Sequence, residues 1–166
     1  MALIQHSDFA DDSWVRLDDA SEAPIGAKII VSFERWQRDR DTLLGRNAPL
    51  GVLLKSNQPP ASIAADIGRF ALIALEFPKF TDGRAYSYAR LLRERHGFKG
   101  ELRAVGNILR DQLFFMRRVG FDTFEVPERA RTEGWLKSFG DFDVVYQETG
   151  DDRHRPVRVR EPEIGG

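Results

Sequence analysis

The side chains of this sequence that could bind or transform a small anion stand at or just beyond the ends of short apolar runs. They are Lys55, Ser56, Asn57, Glu76, Lys79, Asp82, Arg84, Arg103, Asn107, Glu125 and Glu128. Guanidinium and ammonium groups beside neutral hydroxyl and amide donors suit a carboxylate, phosphate or sulfate. A lysine placed near a substrate could instead act as a base. The residue types therefore indicate two chemistries, anion binding and proton transfer.

The stretch "DGRAYS", Asp82 to Ser87, carries the densest set of such residues. Asp82 stands where the N-cap of a helix belongs, because an aspartate there accepts a backbone hydrogen bond. Arg84 then falls in the first helical turn, where a cation is unfavourable against the helix dipole. An arginine at a helix amino end is also a good receptor for an anion, so a structural role and a binding role are equally supported. In a binding site Tyr86 and Ser87 would add neutral donors, whereas in a structural interpretation Tyr86 packs with its hydroxyl at the rim.

Two further polar residues belong to the apolar run "ELRAVG" and its end. Arg103 lies inside this predicted strand, and a buried arginine needs a paired carboxylate. Either Glu76 or Glu125 on a neighbouring strand is a candidate partner, and structural pairing is slightly favoured over catalysis. Asn107 is predicted to be the N-cap of the next helix. The complete set of anion-binding candidates is Lys55, Asp82, Arg84, Tyr86, Ser87, Arg103 and Asn107, and no catalytic residue is assigned.

Several kinds of site are excluded by missing residues. The sequence has no cysteine, which excludes disulfides, iron–sulfur and zinc–thiolate sites and any covalently attached or cysteine-ligated cofactor. A non-covalent cofactor stays open. The three histidines, His6, His96 and His154, lack metal-ligand spacing. A phosphate loop, a dinucleotide fingerprint and a serine elbow are all missing, and the basic stretch lacks the interleaved aromatic residues of a nucleic-acid platform.

The composition predicts an ordinary globular protein with an uneven charge distribution. Of its 166 residues, 42% are hydrophobic and 31% are charged, and the net charge is −1. Residues 1–27 carry a local net charge of −5, and residues 84–118 carry a local net charge of +6. The longest apolar run, "ALIAL", is too short to cross a bilayer, and the acidic N-terminus lacks a signal-peptide core. We therefore expect a soluble cytoplasmic protein without a membrane or nucleic-acid partner.

Five glycines divide the chain into units in which a helix-like segment is followed by an apolar, strand-like run. They are Gly45, Gly68, Gly97, Gly120 and Gly140, at spacings of 23, 29, 23 and 20 residues. A glycine just past a helix end accepts the left-handed conformation that ends the helix. The predicted strands begin at Lys28, Leu50, Phe70, Glu101, Thr123 and Asp143, and the predicted helices span 34–44, 59–67, 82–96, 107–119 and 128–139.

This alternation predicts an α/β fold of repeated β/α units with about six mainly parallel strands. A closed eight-stranded barrel usually needs about 250 residues, so we expect a partial, half TIM-like barrel or an open sheet. Ligands bind beyond the carboxyl ends of the strands in such folds, and an open sheet edge can recruit a partner or a second copy. The predicted organisation is an acidic extension over 1–27, one α/β domain over 28–147, and a mobile charged tail over 148–166.

The segment "FTDGRAYSYARLLRERHGFKGELRAVGNILRDQLFFMRRVGFDTFE" resembles a bacterial family of unknown function. The motifs "DGRAYS" and "GNILRDQL" carry the likeness together with "LGVLLKSN" and "LIALEFPKF", so the resemblance spans most of residues 25–147. Family members are commonly described as oxidoreductases involved in sulfite reduction and are typically encoded beside assimilatory sulfite reductase and adenylylsulfate reductase. The resemblance thus implies a role in sulfate assimilation, with the sulfite reductase hemoprotein or adenylylsulfate reductase as a partner.

Two functions are therefore expected. The first is a cytoplasmic accessory protein of assimilatory sulfite reduction, which binds the reductase or an anion of the pathway at the strand carboxyl ends. The second is an enzyme, either an oxidoreductase or a barrel-type acid–base catalyst, acting on a small anionic metabolite with Lys55 or Lys79 as base and Arg84 as carboxylate clamp. The lack of an evident acid–base pair favours the first. A structural homodimer is a third option.

Overall fold

The fold is built on one curled, eight-stranded sheet. A computed structural model describes residues 1–79 and 81–139. The strands are β1 (Ala2–Gln5), β2 (Asp8–Ala10), β3 (Val15–Arg16), β4 (Ile29–Ser32), β5 (Leu50–Leu54), β6 (Leu72–Phe77), β7 (Glu101–Gly106) and β8 (Thr123–Val126), in the spatial order β2-β1-β8-β7-β6-β5-β4-β3. Strands β3 to β8 run parallel, whereas β1 is antiparallel to both β8 and β2. The predicted α/β class and half-barrel are confirmed.

Short helices connect the parallel strands. They are α1 (Phe33–Leu44), a 3₁₀ helix (Pro60–Arg69), α2 (Arg84–Arg90) continued by a π-helical turn (Leu91–Arg95), a 3₁₀ turn (Arg110–Gln112), α3 (Leu113–Arg118) and a 3₁₀ turn (Glu128–Arg131). The hydroxyl of Ser32 caps α1 by accepting the backbone N–H of Arg35 at 3.0 Å. Each predicted helix therefore has a helical counterpart, although most are shorter than predicted. The predicted strand at Asp143 and the tail 148–166 lie outside the described residues.

Among the four helix-ending glycines that the structure describes, two adopt the predicted left-handed backbone. Gly97 and Gly120 have φ angles of +65° and +118°. The prediction was wrong for Gly45 and Gly68. The N–H of Gly45 closes the end of α1 on the carbonyl groups of Asp41 and Leu43 with a right-handed φ of −76°, and Gly68 lies within the 3₁₀ helix. Gly140 lies outside the described residues.

The two faces of the sheet bury different sets of side chains. The main core lies between the helices and the outer face, where alternate strand residues such as Val31, Val52, Leu75 and Phe124 are buried. The inner face of the half-barrel carries a smaller cluster of Ile30, Leu53, Leu72, Ala74 and Val105, and Trp14 packs against it. Strand β6 is apolar because both of its faces are covered.

The acidic segment 1–27 contributes to both edges of the sheet. It supplies β1 and β2 beside β8, and it supplies β3 beside β4 at the opposite edge. Only residues 11–14 separate β2 from β3, and a fully extended chain of that length spans no more than about 18 Å. The short connection therefore requires the two edges of the sheet to curl towards each other. This strand content explains why eight strands are found among the described residues where about six were predicted.

No helix in the described part of the chain combines the length and the apolar character needed to span a membrane.

Candidate functional site

The first part of the "DGRAYS" motif forms a compact ionic cluster at the carboxyl ends of β5 and β6. The carboxylate of Asp82 accepts the backbone N–H of Arg84 at 3.0 Å and its guanidinium at 2.8 and 3.2 Å. Nη2 of Arg84 also donates to the Ser56 hydroxyl at 2.9 Å. The N-cap residue of α2 is Gly83, so the prediction that Asp82 is the N-cap is wrong, and Asp82 lies one residue before the cap. We call Ser56, Asp82 and Arg84 the Asp82 cluster.

The ion pair between Asp82 and Arg84 is stabilised in its charged form, and its arginine is exposed to solvent. Hydrogen bonds from the side chain and the backbone N–H of Arg84 lower the pKa of Asp82 from 3.8 to about 2. The hydrogen bond to Asp82 in turn raises the pKa of Arg84. The side chain of Arg84 is 56% exposed, whereas that of Asp82 is 17% exposed. Asp82 thus holds the guanidinium in place while one of its edges faces solvent.

The pKa of Asp82 gives a direct test of this pairing. An acid with a lowered folded-state pKa stabilises the protein above its ordinary pKa, and this stabilisation is lost as the pH falls through the folded value. The Asp82–Arg84 pair should therefore stay intact from pH 7 to pH 4 and break only near pH 2. A carboxyl-carbon NMR titration should place the midpoint of Asp82 near 2, and Arg84→Ala should raise it. A wild-type midpoint near 4 would contradict the described pair.

Lys55 and Tyr88 complete the surroundings of Ser56. Lys55 precedes Ser56, its backbone N–H donates to Oε1 of Gln58 at 2.8 Å, and its side chain is exposed. Within the described residues its ammonium group makes no ion pair. The Tyr88 hydroxyl donates to the carbonyl oxygen of Ser56. Sequence reasoning left Ser56 and Tyr88 out of the candidate set, although Tyr88 lies four residues after Arg84 and hence on the same helix face.

Tyr86 and Ser87 do not belong to the Asp82 cluster. Successive residues of a helix point about 100° apart, so these two side chains leave α2 in other directions. Both line a groove between α2 and the end of α3. The Tyr86 ring packs edge-on against Phe77 with the ring centres 5.1 Å apart, and burial raises the pKa of its hydroxyl. Their prediction as donors to the same anion as Arg84 is therefore not supported by the geometry.

Asn107 lies in a second groove, at the carboxyl ends of β6, β7 and β8. Its side-chain amide donates to the carbonyl oxygen of Pro78, and its backbone N–H donates to that of Phe77 at 2.7 Å. The next helical turn begins only at Arg110, so Asn107 joins two loops and is not the predicted N-cap. This groove has a volume of about 550 Å³ and is also lined by Lys79, Thr81 and Arg129.

Arg103 is enclosed in an ionic network on the inner face of the half-barrel. Its side chain is 1% exposed, and its guanidinium lies 2.8, 3.0 and 3.2 Å from the carboxylates of Asp12, Glu101 and Glu125. Glu125 also pairs with Arg16 at 2.8 Å. Of the two candidate partners, Glu125 is confirmed, and Glu76 does not pair with Arg103. Because three carboxylates occupy the guanidinium, Arg103 is not placed to bind an external anion.

This network shifts the pKa of both Arg103 and Asp12. Burial alone would raise the pKa of Asp12, but the hydrogen bond and charge of Arg103 and the N–H of Trp14 lower it. Burial alone would lower the pKa of Arg103, but its hydrogen bond to Asp12 and the charges of Glu101 and Asp12 raise it. The pair therefore remains ionised and connects residues 11–14 to β7.

The described residues contain no group of three or more histidine, aspartate or glutamate side chains arranged to hold a metal ion.

The family model of a bacterial protein of unknown function, DUF934, matches residues 51–157. The chain belongs to this family. The DUF934 match includes β5 to β8, the Asp82 cluster and Arg103, and it excludes Asp12 and the first four strands. Neither a curated protein nor a solved structure matches the chain.

Proposed function

We propose that this DUF934 protein is a cytoplasmic accessory protein of assimilatory sulfite reduction that binds a small oxyanion at the Asp82 cluster. The observation that carries the binding role is an arginine held in place by a carboxylate while 56% of its side chain stays exposed. The pathway is inferred from the sequence resemblance to proteins described as acting in sulfite reduction. Sulfite is the proposed oxyanion because it is the substrate of the reduction that this pathway carries out.

The charges and donors of the Asp82 cluster favour an oxyanion. Arg84 supplies an exposed positive charge, and the exposed Lys55 adjoins Ser56 in the chain. Nη1 of Arg84 makes no hydrogen bond within the described residues, and the Ser56 hydroxyl adds a neutral group. Sulfite offers several acceptor oxygens, and a guanidinium can bind two of them in parallel. Because Asp82 already fixes the arginine, less conformational entropy is lost when the anion binds.

The accessory role follows from the chemistry of sulfite reduction. This reaction moves six electrons through sirohaem and an iron–sulfur cluster, and a chain without cysteine does not ligate that cluster through thiolates. The redox step would therefore take place on a partner, such as the sulfite reductase hemoprotein or adenylylsulfate reductase. Here the DUF934 protein would hold or deliver the anion.

A deletion strain should identify the pathway step and the role of Arg84 together. We expect the strain to fail to grow on sulfate or sulfite as sole sulfur source and to grow on sulfide or cysteine. Wild type should restore growth, and Arg84→Ala should not. Arg69→Ala is the matched control, because Arg69 is also exposed and lies outside the Asp82 cluster. Normal growth of the deletion strain on all four sources would refute the pathway assignment.

Calorimetry would measure the affinity of the protein for sulfite independently of the growth assay. Loss of a charged hydrogen bond costs about 1.5–3 kcal/mol, so Arg84→Ala should weaken sulfite binding by roughly 10- to 100-fold. The affinity should also fall as salt increases, since the site is exposed. Equal binding by wild type and Arg84→Ala would remove the Asp82 cluster from the proposal.

One observation favours the enzyme as a second candidate function. Leu53 pairs with Ala74 across β5 and β6, and extending this register places Lys55 beside Glu76 on the inner face. Neither side chain makes a hydrogen bond or ion pair within the described residues. A lysine and a carboxylate at strand carboxyl ends are positioned as acid–base groups are in barrel enzymes. In the same growth assay, rescue by Arg84→Ala but not by Glu76→Gln would favour the enzyme.

A further inference from the structure

We propose that the groove between α2 and the end of α3 is a docking site for a partner protein, which inserts an apolar segment flanked by acidic residues. The inference rests on the proposed accessory role, because such a role requires a stable contact with the protein that carries out the chemistry. The groove is separate from the Asp82 cluster, and its residues are not used in anion binding.

The floor of the groove is apolar and continuous with the protein core. Tyr86, Leu91 and Val119 line it, and the groove has a volume of about 620 Å³. Tyr86 and Val119 are partly buried and pack against the main core. Ser87 and Leu91 lie four residues apart, so they present one stripe of the α2 and π-helical segment to the groove. A surface of this kind can bury the side chains of a helix or an extended segment.

An exposed aromatic side chain lies on the face of α3 that ends at Val119, a residue of the groove. Phe115 is 57% exposed, and it is the one aromatic residue among the large apolar side chains that are strongly exposed in the described part of the chain. It lies four residues before Val119, whose N–H donates to its carbonyl oxygen, so the two share a helix face. The Phe115 ring contacts the ring of Phe114, with the ring centres 5.6 Å apart. Anchored aromatic residues of this type often dominate the binding energy of an interface.

The charge around the groove selects the partner. Arg90 and Arg95 line its edge, against one acid, Glu94, which lies 3.8 Å from Arg90. Arg118 places its guanidinium 5.9 Å from the Phe114 ring, next to Phe115. Charge complementarity therefore favours an acidic rim on the partner, and the apolar floor requires an apolar centre rather than a phosphate backbone.

Photo-crosslinking in the native bacterium, grown on sulfate, tests this site. The full-length chain would carry p-benzoylphenylalanine in place of Phe115, and a matched control would carry it in place of the fully exposed Ile25. We expect an adduct at position 115 alone, mapped by mass spectrometry to an apolar segment with flanking Asp or Glu residues. Reversing two rim charges with Arg90→Glu and Arg95→Glu should reduce the adduct about tenfold.

Four outcomes would overturn the proposal: equal adducts at both positions, no adduct at position 115, an adduct within this chain or with a second copy, or an adduct insensitive to the charge reversal. The result is independent of the sulfite assignment. If the adduct forms but the deletion strain grows normally on all four sulfur sources, the docking site stands and the pathway assignment is refuted. If the deletion strain shows the sulfur phenotype but no adduct forms, the pathway assignment stands and the docking site is refuted.

Discussion

Replacing Gly106 by alanine is expected to lower the free energy of unfolding by roughly 3–5 kcal/mol. Gly106 ends β7 with a φ of +96°, a conformation that residues with a side chain rarely adopt. A Cβ atom there would lie 2.4 Å from the carbonyl oxygen of Phe77, which is a backbone atom of the neighbouring strand β6. Because that oxygen also accepts the N–H of Asn107, it cannot move without disturbing the loop that follows β7.

Urea unfolding followed by tryptophan fluorescence would measure this loss, since Trp36 and Trp135 are buried. Gly68→Ala is the matched control. Gly68 has no positive φ, and a Cβ atom added there would meet no other atom within 4 Å, so this change should alter stability by less than about 1 kcal/mol. Similar effects of both substitutions would show that the backbone at Gly106 is not constrained as described.

Arg103→Met is expected to lower the free energy of unfolding by roughly 3–5 kcal/mol at pH 7. Methionine can fill much of the space of the buried side chain, but it leaves the carboxylates of Asp12, Glu101 and Glu125 without their shared counter-charge. Only Arg16 would remain beside them, paired with Glu125. The link between residues 11–14 and β7 would then be lost together with the charge balance.

The pH dependence of this variant distinguishes the charge effect from a packing effect. In the wild type the lowered pKa of Asp12 stabilises the fold above the ordinary pKa, and this stabilisation is lost as the pH falls through the lowered value. In Arg103→Met the charge that lowers the pKa of Asp12 is missing, so this stabilisation is lost. The difference in unfolding free energy between wild type and variant should therefore persist from pH 7 down to pH 4 and shrink as the pH falls below the ordinary value of 3.8.

Arg69→Met serves as the control for arginine removal, because Arg69 is exposed. This change should alter the free energy of unfolding by no more than about 0.5 kcal/mol across the same pH range. A loss in Arg103→Met that is small, or that does not depend on pH, would show that packing rather than charge holds the inner face together.

The parallel half of the fold could be predicted because its signals are local. Apolar runs indicated β4 to β8, and the glycines between helix and strand marked the repeating units. Strands β1 to β3 could not be found in this way. They contain two to four residues each and lie in an acidic segment, and their pairing depends on strands more than 100 residues away in the case of β1. Tertiary contacts of this kind leave little trace in local sequence patterns.

The same distinction applies to the candidate site. Capping chemistry predicted that Asp82 accepts a backbone N–H at the start of α2, which it does from Arg84 two positions on, but it did not predict the ion pair between the two side chains. The contact of Arg84 with Ser56 spans 28 residues, and that of Arg103 with Asp12 spans 91. Closeness in the sequence suggested that Tyr86 and Ser87 act together with Arg84. The rotation of about 100° per residue along the helix instead turns both side chains away from the Asp82 cluster.

The position of β1 has a consequence for synthesis on the ribosome. Its buried residues Leu3 and Ile4 are synthesised more than 100 residues before their partner strand β8, which is not complete until Val126 has been made. The pairing of β1 with β8 therefore cannot form during this interval, and these apolar side chains must wait without their native neighbours. The acidic residues that follow them, including Asp8, Asp11 and Asp12, would keep this waiting segment hydrated and hinder its aggregation.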